Sequence, residues 1–159
     1  TRHHVNVMMT KSKASGHYIN SVVAKAEVKK AGYDEAIMLD ADGYVAEGSG
    51  ENIFIVRDRK IKTTPLTSIL PGITRDSIVI LARDKGYHVV EERFTRDELY
   101  TADEAFFTGT AAEVTPIREV DHCQIGNGCR GPVTADIQPA FFDVIKGKDK
   151  KYSKWLTYL

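Results

Sequence analysis

Glu35-Ala-Ile-Met-Leu-Asp-Ala-Asp-Gly-Tyr-Val-Ala-Glu-Gly-Ser-Gly-Glu-Asn-Ile-Phe-Ile-Val-Arg-Asp-Arg-Lys-Ile-Lys-Thr-Thr64 is the stretch on which the fold turns. Short apolar runs alternate in it with turn residues. Ala41-Asp42-Gly43 separates the first run from Tyr44–Gly48, and Asp58-Arg59-Lys60 separates Asn52–Arg57 from Ile61–Thr64. The simplest reading is an antiparallel meander opened by a hairpin. Downstream, His88–Phe94, Glu104–Thr108 and Glu113–Val120 read as further strands, and Asp121–Arg130 as a Gly-containing turn region.

Helical patterns stand between these strand groups. One runs from about Ser15, a possible N-cap, to Ala31, with Tyr18, Ile19, Val22, Val23 and Ala26 on its apolar face and Gly32 as its stop. A second follows Leu70–Asp76 and closes at Gly86. Thr95 caps a short acidic third, and Gly131-Pro-Val-Thr134 opens the last, in which Pro139 predicts a kink or a split. Val5 and Val7 give the N-terminal residues the beat of a strand. Grouped strands with inserted helices predict an α+β domain built on a curled, antiparallel, barrel-like sheet with flanking helices.

The 159 residues fit one domain. Lys and Arg total 22 and so do Asp and Glu, which leaves no basic footprint for nucleic acid or an anionic membrane. With no apolar run of membrane-spanning length and no signal-like start, the chain reads as cytoplasmic. Cys123 and Cys129 are expected as free thiols. His3-His4 and His122-Cys123 lack zinc spacing, so no metal is expected. A chain opening on Thr1 and going straight into a strand-like pattern reads as the second part of a longer protein.

Four stretches can carry chemistry. Lys13-Ala-Ser-Gly-His-Tyr18 puts an amine at a helix entrance, where desolvation makes a lysine a nucleophile for carbonyl groups. Glu47 and Glu51 bracket Gly48-Ser49-Gly50; Ile53 occupies the place of a third glycine and no helix follows, so the dinucleotide fingerprint fails. A carboxylate on a strand end can instead hold a protonated ring nitrogen. Pro71-Gly-Ile-Thr74 joins free helix-terminal N–H groups to a hydroxyl, an arrangement suited to phosphate. Thr108-Gly-Thr-Ala-Ala112 follows a strand with small residues that permit close approach of a ligand. Taken singly, each reads more readily as an ordinary surface residue, cap, bulge or turn.

Together they resemble the class IV pyridoxal-phosphate-dependent aminotransferase family, and most closely its branched-chain amino acid aminotransferases. The resemblance rests on five stretches in order: Lys13–Tyr18, Gly43–Phe54, Leu70–Asp76, Gly109–Arg118 and Gly131–Thr134. It implies pyridoxal 5'-phosphate as cofactor, with Lys13 as its covalent attachment point and as the proton carrier of the reaction. Glu47 would bind the ring N–H and Tyr18 the 3'-oxygen. Ile73 and Thr74, with Thr110, would hold the phosphate, and the turn Thr110-Ala111-Ala112 would meet the substrate carboxylate. Glu51 resembles the partner of a phosphate-gripping arginine. Lys11 is the competing lysine, without small residues after it or a tyrosine five positions on.

The implied activity is transfer of the amino group of leucine, isoleucine or valine to 2-oxoglutarate by a homo-oligomer. In the family an N-terminal α/β domain precedes the lysine and supplies the phosphate-gripping arginine and much of the substrate pocket. Residues 1–159 therefore read as the C-terminal, cofactor-binding domain, with the N-terminal domain absent and catalysis incomplete. D-amino-acid transaminase and aminodeoxychorismate lyase belong to the same family, and a non-catalytic, truncated cofactor-binding domain is the alternative from another class.

Overall fold

In a computed structural model, which describes residues 1–157, two small hairpin sheets and one five-stranded sheet are flanked by four α-helices. The first hairpin pairs β1 (Ile37–Leu39) with β2 (Val45–Gly48). Asp40 makes its turn: Oδ1 accepts from the N–H groups of Asp42 and Tyr44, both at 3.0 Å, and Gly43 takes φ +89°, a value open to glycine.

The five-stranded sheet has the order β5-β4-β3-β6-β7, with β3 Asn52–Arg57, β4 Lys60–Thr63, β5 Val89–Glu91, β6 Glu104–Gly109 and β7 Glu113–Pro116. A last pair, β8 (Glu119–Val120) and β9 (Cys123–Gln124), lies within the stretch read as strand and turn. The meander expected after β2 is redirected, because β3 pairs with both β4 and the distant β6. β5 joins β4 in parallel, the one departure from antiparallel pairing, because helix α2 carries the chain across the sheet between them.

β3 explains why the sheet is central. Ile53, Phe54, Ile55 and Val56 are all buried, as expected for a strand covered on both faces. Phe54 and Val56 enter one core with Phe106, Ile78, Val79, Ile137, Phe141 and Val144, under α2 (Ile73–Asp84) and α4 (Pro132–Ile145). Ile53 and Ile55 enter a second core with Val45, Phe94, Leu99, Phe107, Ile117 and Ile125. Phe54 and Phe106, partners across the strands, stack with centroids 5.0 Å apart.

Several expectations are corrected. Residues 5–7 form turns instead of a strand, with Val5 and Val7 exposed. Ser15 makes no cap bond; a 3₁₀ turn, Ser15–Tyr18, leads into α1 (Ile19–Lys30), whose Ile19, Val22 and Val23 face outward at 67%, 63% and 59% exposure. Pro139 does not split α4. It lies on the exposed side, while Ile137, Phe141 and Val144 anchor the buried side. Thr95 caps α3 (Arg96–Tyr100) in a full capping box with Glu98, as its sequence predicts. No helix among the described residues is long and apolar enough to cross a membrane. Cys123 and Cys129 are free, exposed thiols.

Candidate active site

A cleft of about 270 Å³ opens where the end of β2, the start of β3, the N-terminus of α2 and the end of β6 converge. Lys13, Tyr18, Glu47, Glu51, Ile73, Thr74 and Thr110, drawn from four separate stretches of sequence, all line it. Ala111 and Ala112 lie in the following β6–β7 turn, beside Thr110 and off the cleft wall.

Glu47 is the most constrained member. It is buried in β2, where Oε2 accepts from Asn52 Nδ2 at 3.0 Å and the Leu70 N–H at 3.1 Å, and Oε1 forms an ion pair with Arg2, whose Nε lies 2.8 Å away. Burial pushes its carboxyl up to about 7; the Arg2 charge and the Leu70 N–H oppose that rise, and Glu51 adds to it. A buried carboxylate in this state is stabilised by a further cation, and the cleft lies open beside it. Asn52 also donates to the Leu70 carbonyl at 2.9 Å, tying Glu47 to the loop that enters α2.

That loop makes the opposite end of the cleft. Gly72 is the N-cap of α2 and offers no side-chain acceptor, so the N–H groups of Ile73 and Thr74 point out at the positive end of the helix dipole. A Cβ on Gly72 would stand 2.2 Å from Asn52 Oδ1, which explains why glycine is needed here. Thr108 Oγ1 is buried at the same cleft without a hydrogen-bond partner. Free amides, an unpartnered hydroxyl and a carboxylate in want of a cation fit a phosphorylated heterocycle with a protonated ring nitrogen.

Lys13 lines the cleft as an exposed side chain, as does Lys11. The described residues therefore do not by themselves supply the desolvation that a neutral amine requires. Glu51 fits into a pocket made by glycine: a Cβ on Gly48 would meet its Oε2 at 2.9 Å, and one on Gly109 its Cγ at 3.4 Å. Burial raises its carboxyl, as does the neighbouring Glu35, itself bonded to Lys25.

The structure gives two of the recognised stretches a structural part. Arg75 is wholly buried and its Nη2 donates to the Thr64 carbonyl and to Glu91, both at 2.8 Å, joining α2 to β5. In Gly131-Pro-Val-Thr134 the helix start is capped by a strand carboxylate: Glu104 accepts from the Val133 and Thr134 N–H groups at 2.8 Å and from the Thr134 hydroxyl at 2.7 Å. Arg2 and Asn52 are site residues that the sequence reading missed. Asn52 sat inside a quoted stretch, next to a carboxylate pair. Arg2 carried no signal, since a terminal arginine reads as solvated.

A family model for class IV amino-transferases matches residues 2–120. The chain belongs to that family. It is 59% identical over 157 residues to a branched-chain-amino-acid aminotransferase of Pseudomonas aeruginosa, an alignment covering 99% of this chain and 51% of that protein. Among solved structures, a T.th. branched-chain amino acid aminotransferase complexed with N-(5'-phosphopyridoxyl)-L-glutamate superposes with a TM-score of 0.98 at 50% identity, over 99% of this chain and 54% of that one. The branched-chain amino acid aminotransferase of Thermobaculum terrenum in its PLP form gives 0.96 at 42% identity, over 99% of this chain and 52% of that one. The chain spans about half the length of the curated relatives it matches.

Proposed function

We propose that this chain is the cofactor-binding part of a pyridoxal-phosphate-dependent aminotransferase that moves the amino group of leucine, isoleucine or valine to 2-oxoglutarate. The observation that carries the reading is the convergence of Lys13, Tyr18, Glu47, Thr74 and Thr110 on one cleft, with a buried carboxylate at one end and free helix amides at the other. The relatives support it: a branched-chain substrate class is in their names, and a phosphopyridoxyl group joined to glutamate is in a structural neighbour.

When bound, pyridoxal phosphate supplies an electron-withdrawing ring that stabilises negative charge at the substrate α-carbon. The chain's residues do the rest. Glu47 Oε1 accepts the ring N–H and keeps the ring cationic. Tyr18 donates to or accepts from the 3'-oxygen. The N–H groups of Ile73 and Thr74 and the hydroxyls of Thr74 and Thr110 hold the phosphate. The Lys13 amine would be the attachment point for the cofactor and would hold the proton that moves to and from the substrate α-carbon. Thr110, Ala111 and Ala112 present the turn that receives the substrate carboxylate, and Glu51 orients a phosphate-binding arginine. We place that arginine, the closure that desolvates Lys13 and the rest of the substrate pocket in the other half of the protein, and the working enzyme as a homo-oligomer.

Borohydride reduction of the intact protein with pyridoxal phosphate, followed by peptide mass mapping, tests the central assignment. A pyridoxyl adduct on Lys13 is expected; an adduct on Lys11 or on scattered lysines overturns it. A panel of amino donors then tests the substrate class, and turnover of D-alanine without L-leucine would sink the branched-chain reading.

A further inference from the structure

We propose that Arg2 is a positioning residue for the ring-binding carboxylate: its buried guanidinium is fixed against Glu47 Oε1 as an ion pair and biases that carboxyl toward the ionised form that meets the cofactor. The inference rests on the reading of the cleft as a pyridoxal phosphate site.

An ionised carboxylate has about four acceptor positions. Two are filled, both on Oε2, by Asn52 Nδ2 and the Leu70 N–H. Oε1 lies 2.8 Å from Arg2 Nε in an ion pair, while the Nε–H itself is donated to the Ser68 carbonyl, so the lone pairs of Oε1 stay open to a further donor. That oxygen is therefore the one that meets a ring N–H, and it meets it with a guanidinium already alongside.

Arg2 is itself held firmly enough to act as a fixed charge. Its backbone N–H donates to the Leu39 carbonyl at 2.8 Å, its Nε donates to the Ser68 carbonyl at 2.7 Å, and its Nη2 donates to the Thr10 carbonyl at 3.0 Å. The side chain is buried, as is that of Glu47, so the pair is weakly screened by water. Among the other charged groups at Glu47, Glu51 works against ionisation, and Arg2 is the cation in direct contact.

The consequence is chemical. Arg2 works against the rise that burial imposes on Glu47, and with a cationic ring alongside as well Glu47 would accept the ring N–H as a carboxylate. Without Arg2 the balance moves toward a protonated Glu47, whose O–H would donate to a ring nitrogen that has lost its proton. In that form the ring is still bound, but its positive charge is gone.

The test is ¹⁵N NMR of the intact protein carrying pyridoxal phosphate labelled at the ring nitrogen, in wild type, Arg2→Gln and Arg2→Lys. The wild-type ring is expected to stay protonated across neutral pH. In Arg2→Gln its titration midpoint should fall by about one to three pH units, the usual effect of an adjacent opposite charge on a carboxylate, and Arg2→Lys should restore most of the difference. An unchanged midpoint in Arg2→Gln overturns the proposal. A wild-type ring that is unprotonated at neutral pH would instead overturn the Glu47 assignment on which it rests.

A second measurement needs no variant. The Arg2 Nε–H resonance of wild type should differ between pyridoxal phosphate and the carbocyclic analogue with C–H in place of the ring N–H, because only the former places a positive N–H against Glu47, whose Oε1 lies 2.8 Å from Arg2 Nε. Identical resonances with both ligands would reduce Arg2 to a brace of the N-terminal loop and overturn the proposal.

Discussion

Glu47 carries a conflict that can be read in solution. Its carboxyl lies near 4.5 in an unfolded chain and about 7 in the folded one, chiefly because of burial. The folded state thus holds the proton more tightly. The resulting stability is full below pH 4.5 and is lost as pH rises through about 7, a change of about 3 kcal/mol for a group this buried. Cofactor-free protein should therefore lose melting temperature between pH 5 and 8, and Glu47→Gln should flatten that slope. A wild-type melting temperature constant over this range would contradict the burial argument. That Glu47 stands at the cleft was legible in the sequence because it lies in a distinctive glycine-containing run. Arg2 was not, since its meaning comes from a contact 2.8 Å away in space and far away in sequence. Lys13 was legible as a residue, whereas its exposure within this chain was not, since exposure depends on what packs over it.

Among the elements, two buried ionic junctions hold the helices to the sheet. Arg75 joins α2 to β5 and to the loop after β4, with its guanidinium sealed from solvent. Arg75→Leu leaves the Thr64 carbonyl and Glu91 without their donor, and should cost about 3 kcal/mol in urea unfolding. Glu104 does for α4 what an N-cap side chain normally does, from a neighbouring strand, with Gly131 leaving the space. Gly131→Ala puts a Cβ 2.2 Å from Glu104 Cδ and forces the cap apart; a loss of about 2 kcal/mol is expected by the same measurement, with Glu104→Gln costing about 1 to 2. Local signals marked these helix starts well: Thr95 and Gly131-Pro132 stand where the structure has them. Local signals failed where a neighbour decides. Pro139 is harmless because of which side of α4 faces the sheet, and the apolar side of α1 has no partner among the described residues. The parallel pairing of β5 could not be read from Val89–Glu91 alone, since pattern does not reveal direction.

At the scale of the molecule, β3 and β6 divide two cores while belonging to both. Phe54 and Ile55 are neighbours in sequence and face opposite ways. The two cores should therefore melt together. Trp155 packs against the first core, so its fluorescence reports there, yet Ile55→Ala in the second core should lower the Trp155 midpoint and the far-UV CD midpoint equally, by an amount equivalent to about 2 to 4 kcal/mol. Separate midpoints for the two signals would show that the cores unfold independently. The α+β class was legible because helices and strand groups separate cleanly along the chain; the shared central strand was not, because a fully buried run shows no alternation.

The amide of Asn52 grips Glu47 with its nitrogen and the Leu70 carbonyl with the same group, and its oxygen sits where a Gly72 Cβ would be. One small side chain thus sets the span between the carboxylate and the helix amides. The cleft is in effect a gauge with both jaws on one frame, and it measures the length of what enters it. On the proposed reading of the cleft, a ligand a single methylene longer between ring and phosphate is expected to bind more weakly than pyridoxal phosphate, because only one of its ends would seat at a time.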